Sequence, residues 1–156
     1  MDSQPADAPG VVVWPPLLYG SALLLGVVLH VVFPIVALPK GPCRLAGALL
    51  LAGGLALGSW GDRTMHRAGT NVNPSKPALA LVDTGPFRFS RNPLYIALTL
   101  IYGGLALVIP ALWPLLLLIP VVAVLSWGVV RREERYLERK FGDSYRSYKA
   151  RTRRWL

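Results

Sequence analysis

The segment Asp83-Thr84-Gly85-Pro86-Phe87-Arg88-Phe89-Ser90-Arg91-Asn92-Pro93-Leu94-Tyr95 separates two apolar halves of the chain. Pro86 and Pro93 each remove a backbone donor and push the preceding residue away from helical geometry, so the segment reads as a shaped loop followed by a helix start. Pro93 suits the first turn of that helix, with Asn92 placed to cap exposed amides. A stiff polar turn at the mouth of an apolar helix can hold a charged small molecule. The plainer alternative is that Arg88 and Arg91 only anchor a helix end among lipid headgroups.

Outward from this segment the chain is apolar in blocks. Of 156 residues, 53% are hydrophobic and the mean hydropathy is +0.44, too apolar for an ordinary soluble domain. Leu17–Leu38, Arg44–Trp60, Leu94–Ile109 and Leu112–Val130 are the candidate spans of an all-α integral membrane protein of about four transmembrane helices. We treat 1–156 as one domain: a polar, loosely ordered lead over 1–16, a helical bundle over 17–130 and a basic tail over 131–156. The lead carries Asp2 and Asp7 but no Lys or Arg, so it lacks the basic region of a cleavable signal peptide.

The net charge of +9 sits beside the apolar blocks and is not interleaved with exposed aromatics, which argues for membrane topology and against nucleic acid. The central loop and the tail together hold fifteen Lys and Arg, whereas Lys40 and Arg44 are the two on the opposite side. That asymmetry predicts an inner or plasma membrane protein with loop, tail and both termini cytoplasmic. The single cysteine, Cys43, excludes an internal disulfide, and His30 and His66 are too few and too separated for a metal site. His30 reads as a hydrogen-bonded structural residue more readily than as a proton carrier.

Three further stretches matter. Residues 61–91 form a long polar loop, a length that usually carries function, with Leu79–Val82 as a short apolar run lying back on the bundle. Small residues around Gly53-Gly54 permit close helix packing, or the approach of a flat ligand. In Arg131-Arg132-Glu133-Glu134-Arg135, consecutive helical side chains diverge by about 100°, so one of the two acids is expected to face inward. A solvated salt-bridged face is the alternative. The tail is expected to prolong the last helix to Phe141 with Gly142 as its stop, and the stripe Leu137, Phe141, Tyr145, Tyr148 is expected to pack mostly against headgroups.

Taken together, Leu81-Val82-Asp83-Thr84-Gly85-Pro86-Phe87 and Arg91-Asn92-Pro93-Leu94-Tyr95 resemble the first signature of the isoprenylcysteine carboxyl methyltransferase family and its relatives, the membrane phospholipid methyltransferases. Glu133-Glu134 followed by Phe141-Gly142, Tyr145, Tyr148 and Arg154-Trp155 resembles the second, and Arg67-Ala68-Gly69-Thr70 resembles the loop entry. The resemblance implies methyl transfer from S-adenosylmethionine, bound at the cytoplasmic face in a pocket formed by loop and tail. It assigns cofactor contacts to Leu79, Ala80, Leu81, Val82, Gly85 and Phe87, and to Asn92, Pro93, Leu94 and Tyr95 at the helix start. Glu134 with its neighbour Glu133 would hold hydroxyls or an ammonium group, and Gly53-Gly54 would receive the cofactor. Arg91 or Arg131 would neutralise a carboxylate beside Glu134. Asn92 stands where isoprenylcysteine enzymes usually carry histidine. The acceptor would be a lipophilic or lipidated carboxylate, thiol or amine entering from the bilayer. Two rivals are a non-enzymatic membrane module binding anionic lipid or a protein through its basic tail, and a nicotinamide-dependent reductase of related architecture.

Overall fold

A computed structural model describes residues 8–35 and 38–156. Within them the chain is helical, with no strand. Helix α1 spans Pro15–Val32, α2 Lys40–Arg67, α3 Pro93–Val108, α4 Leu112–Leu125 and α5 Arg131–Arg151. A π-helical turn, Ser126–Val130, joins α4 to α5 without a break.

Several boundaries differ from the sequence reading, each for a local reason. The first span ends at Val32, because Pro34 denies helical geometry to Phe33; residues 36–37 of the expected Leu17–Leu38 block lie outside the described residues. Helix α2 begins before Arg44, since Pro42 falls in a first turn whose amides need no intrahelical partner. At its other end α2 continues past Trp60 to Arg67. There Gly69, at φ +68°, turns the chain, with Thr70 N–H bonding Met65 C=O (3.2 Å) and Gly69 N–H bonding His66 C=O (3.0 Å). This Schellman closure satisfies the end carbonyls of a helix about 42 Å long, which outruns a hydrocarbon core of about 30 Å. The loop is thereby shorter than expected from its composition. The lead is anchored over its described part: Val12 N–H bonds Gly128 C=O, and Arg132 Nη1 donates to Gly10 C=O. Residues 1–7 lie outside the described residues.

Among the described residues, three helices are long and apolar enough to cross a membrane: α1, α2 and the continuous α4–α5 helix. With 16 apolar residues, α3 is shorter and is enclosed by α1, α2 and α4. Leu24, Leu45, Leu49, Leu55 and Ile119 point outward, as lipid-facing side chains do.

Close packing of α2 on α3 depends on glycine. Gly47, Gly54 and Gly61, spaced by seven, are buried along one face of α2. A Cβ on Gly54 would stand 2.9 Å from Ala97 O and 2.8 Å from Ile101 Cγ1, whereas one on Gly53 would meet nothing within 4 Å. Gly54→Ala is therefore expected to cost about 1–3 kcal/mol through overpacking, while Gly53→Ala is neutral or gains up to about 1 kcal/mol of helix propensity. Thermal unfolding of the two variants in detergent checks this.

The loop and the tail meet at one end of the bundle. Helix α5 does not stop at Gly142: the glycine takes φ +51°, kinks the helix, and helical geometry resumes to Arg151. The kink lets Tyr145 and Tyr148 pack with Val82 and Phe87 of the loop, and Leu137 and Phe141 join them. The aromatic stripe thus packs on the loop.

Candidate functional site

Between loop, α3, α5 and tail lies a hollow of about 900 Å³, counted with its open mouth. Its enclosed part is about 140 Å³, below the roughly 300–1,000 Å³ usual for small-molecule sites, so a ligand of ordinary size would extend into the mouth. Its shape follows from how Ser90-Arg91-Asn92 is held. Arg91 N–H bonds Arg153 C=O at 2.9 Å, and the Arg154 carbonyl accepts from Ser90 Oγ (3.2 Å) and Asn92 Nδ2 (2.8 Å). Asn92 therefore does not cap α3 with its side chain; its backbone carbonyl receives Tyr95 and Ile96, and its amide is turned to the tail. The last residues of the chain are a strap under the turn that opens α3, completed by Trp155 against the core around Tyr19 and Tyr95.

The strap places charge. Glu134 is buried, at 7% exposure, and its carboxylate is paired twice. Arg154 grips it as a fork, Nε to Oε1 at 3.0 Å and Nη2 to Oε2 at 2.7 Å, and Arg91 Nη2 lies 3.2 Å from Oε1. Such bidentate charge-assisted pairs are the strong kind. The bond to Glu134 raises the Arg154 pKa above its ordinary value. The Arg91 side chain is only 9% exposed, yet its Nε and Nη1 have no hydrogen-bond partner. Buried donors without acceptors are costly, and Arg91, which carries two of them, is part of the cavity wall.

Glu133 is in a different environment. Its Oε1 accepts from the Tyr95 hydroxyl at 2.8 Å. Although part of its surface faces the cavity, desolvation raises its pKa to about 7; the Tyr95 hydrogen bond opposes the shift and the Glu134 charge adds to it. Both acids line the cavity, where one was expected to face away. The hollow wraps around α5, from Tyr95 on the α3 side to the arginines on the tail side, so side chains about 100° apart both reach it. Burial first, then the Glu134 charge, push the Tyr145 hydroxyl up to about 12, with Arg91 opposing. Tyr148, also raised by burial, donates to Phe87 C=O at 2.8 Å. Both tyrosines are neutral in the wall, Tyr148 as a donor and Tyr145 as an acceptor from Arg91.

Of the residues singled out in the sequence, Ala80, Leu81, Val82, Phe87, Arg91, Asn92, Pro93, Leu94, Tyr95, Glu133 and Glu134 line this one cavity. Five do not. Leu79 is 64% exposed, though its N–H is held by Thr70 Oγ1 at 2.9 Å. Gly85, at φ +58°, turns the loop against Thr64 and Trp60. Gly53 opens outward, and Gly54 is packed on α3. Arg131 is exposed, with its guanidinium 5.9 Å from the Trp127 ring centroid. Sequence reasoning missed Arg154 as the partner of Glu134, and missed Thr70, Asn71, Asn73 and Tyr136 in the wall. The Asn73-Pro74 turn was the available signal for the loop residues; for Arg154 the signal was its place in the terminal Arg154-Trp155 of the second signature, which did not name its partner. Among the described residues, no group of three or more His, Cys, Asp or Glu is placed to hold a metal.

Comparison with known proteins bears on this arrangement. The chain is similar to an uncharacterised protein of Haemophilus influenzae (strain ATCC 51907 / DSM 11121 / KW20 / Rd), 54% identical over 35 residues, which are 22% of this chain and 56% of that protein. The match thus spans about half the length of that relative. The family profile described as phospholipid methyltransferase matches residues 42–144. This match runs from the first turn of α2 through the loop and α3 to both acids of α5, well over half of the chain, and on it the chain belongs to the phospholipid methyltransferase family of membrane methyltransferases.

Proposed function

We propose that the cavity binds S-adenosylmethionine and that the protein transfers its methyl group to a lipophilic or lipidated acceptor at the cytoplasmic membrane face. The observation that carries this reading is the Arg91 guanidinium in the cavity wall, beside an acid that already has its counter-charge in the Arg154 fork. A carboxylate with a neighbouring cationic centre matches that pattern: the carboxylate completes Arg91, and the cationic part lies toward Glu133 and Glu134. Phe87, Val82 and Leu94 supply apolar wall, and Asn71, Asn73 and Thr70 supply polar groups at the loop side. When bound, S-adenosylmethionine brings an activated methyl group; the protein's part is to position donor and acceptor and to exclude water. The fifteen Lys and Arg of loop and tail favour the cytoplasmic side for this end of the bundle.

Titrating the purified protein with S-adenosylmethionine is expected to give saturable heat and a raised thermal midpoint, and radiolabelled methyl is expected in the lipid extract of membranes containing it. No heat and no shift would remove the reading. Binding that ignores S-adenosylmethionine and weakens steeply with salt would instead support a lipid-binding module, and a response to NADPH would support a reductase.

A further inference from the structure

We infer that the two adjacent acids divide the work of the site: Glu134 is a fixed counter-charge, and Glu133 takes the proton that the acceptor gives up. The inference rests on the methyl-transfer reading and extends it to the chemistry of the acceptor.

The geometry separates the two carboxylates. Both oxygens of Glu134 face guanidinium groups, Arg154 on the tail and Arg91 on the loop. A proton on Glu134 would have to displace one of them. Glu133 faces no cation among the contacts described: Tyr95 on α3 meets its Oε1, Glu134 is its neighbour on α5, and Arg132 is turned away to Gly10 C=O. Lys76, on the loop, is exposed and lines the cavity. Among the described residues Oε2 of Glu133 takes no hydrogen bond, so it is open to the cavity. Its position also fits. Tyr95 belongs to the core with Tyr19, Tyr102 and Leu125, so Glu133 marks the bundle side of the hollow, from which a lipid-borne acceptor arrives. Glu134 marks the tail side.

The step balances as follows. An acceptor nucleophile that carries hydrogen, as N–H, O–H or S–H, bonds to the methyl carbon while the carbon–sulfur bond breaks and its electron pair stays on sulfur. The hydrogen leaves as a proton onto Glu133, whose other oxygen keeps the Tyr95 hydrogen bond. A carboxyl titrating near the working pH is suited to accept it. A carboxylate acceptor has no such proton and would be repelled by the ionised Glu133, so the site selects acceptors that must be deprotonated.

Glu133→Gln is expected to lower kcat about 100-fold, to leave the S-adenosylmethionine Kd within about threefold, and to abolish the fall of wild-type kcat on the acid side of pH 7. In Tyr95→Phe that acid limb is expected to move to higher pH, because the lost hydrogen bond favoured the ionised form. A readout without turnover accompanies these. The thermal midpoint of ligand-free wild type should fall as pH rises from about 4.5 to about 7, since the folded state holds the proton more tightly than the unfolded chain, and should stay level in Glu133→Gln. Unchanged kcat, an acid limb that persists in Glu133→Gln, or a loss confined to cofactor affinity would overturn the inference while leaving methyl transfer standing. Absence of binding and transfer in wild type would overturn both.

Discussion

Arg91→Met is expected to weaken S-adenosylmethionine binding about 1,000-fold with the fold intact. Methionine has comparable length and no charge, so the packing around the side chain is largely kept. Glu134 is not orphaned by the change, because the Arg154 fork at 3.0 and 2.7 Å still neutralises it. What disappears is the Arg91 guanidinium of the cavity wall, with its donors Nε and Nη1, which bond no group among the described residues. Charge-assisted hydrogen bonds are worth about 1.5–3 kcal/mol each, so two of them amount to about 4 kcal/mol, or about three decades in Kd. Removing unsatisfied buried donors should also leave the ligand-free protein as stable as wild type or more so. Calorimetric titration and thermal unfolding of the same preparations test both halves. Wild-type affinity in Arg91→Met would show that the anion is held elsewhere.

Deleting residues 152–156 is expected to abolish ligand binding and to cost about 3–5 kcal/mol of stability, the range for breaking a buried ion pair by removing one partner. Several roles end together. Arg153 and Arg154 carbonyls no longer hold Arg91, Ser90 and Asn92, Glu134 keeps only the 3.2 Å contact to Arg91, and Trp155 leaves the core. Arg154→Lys separates charge from geometry: it retains the cation and the backbone strap but loses the fork, with an expected loss of about 1–2 kcal/mol. A double-mutant cycle between Arg154→Lys and Glu134→Gln measures the coupling, which additive effects would contradict. Thermal midpoints in detergent and S-adenosylmethionine titration are the measurements.

Much of the architecture is local in origin and was legible. Apolar runs such as Leu112–Val130 must be helical in a bilayer, since their backbone groups have no other partners, and the prolines at 34 and 93 set boundaries through fixed covalent geometry. The resemblance to the methyltransferase signatures singled out residues between Ala80 and Tyr95 and the acids of α5, and most of these line one cavity. Boundaries governed by single hydrogen-bonded turns were less legible. Polar composition after Gly61 suggested loop, but the Schellman closure at Gly69 carries α2 to Arg67.

Glycine shows the same division. A run such as Gly53-Gly54 declares that something approaches closely, and the tertiary structure names it: α3 stands against Gly54, and Gly53 faces outward. Arg91, Arg131 and Arg154 were equivalent as charges until folding put the first in the cavity wall, the second over Trp127 and the third on Glu134. The sequence by itself determined the membrane-spanning helices, the sidedness of charge and the polar segments available for a site, because these follow from local backbone chemistry and transfer between water and lipid. Only the tertiary structure decided which acid is paired with arginine and which with a tyrosine hydroxyl, because that depends on a guanidinium brought back across 20 residues of chain, past the kink at Gly142, to within 3 Å.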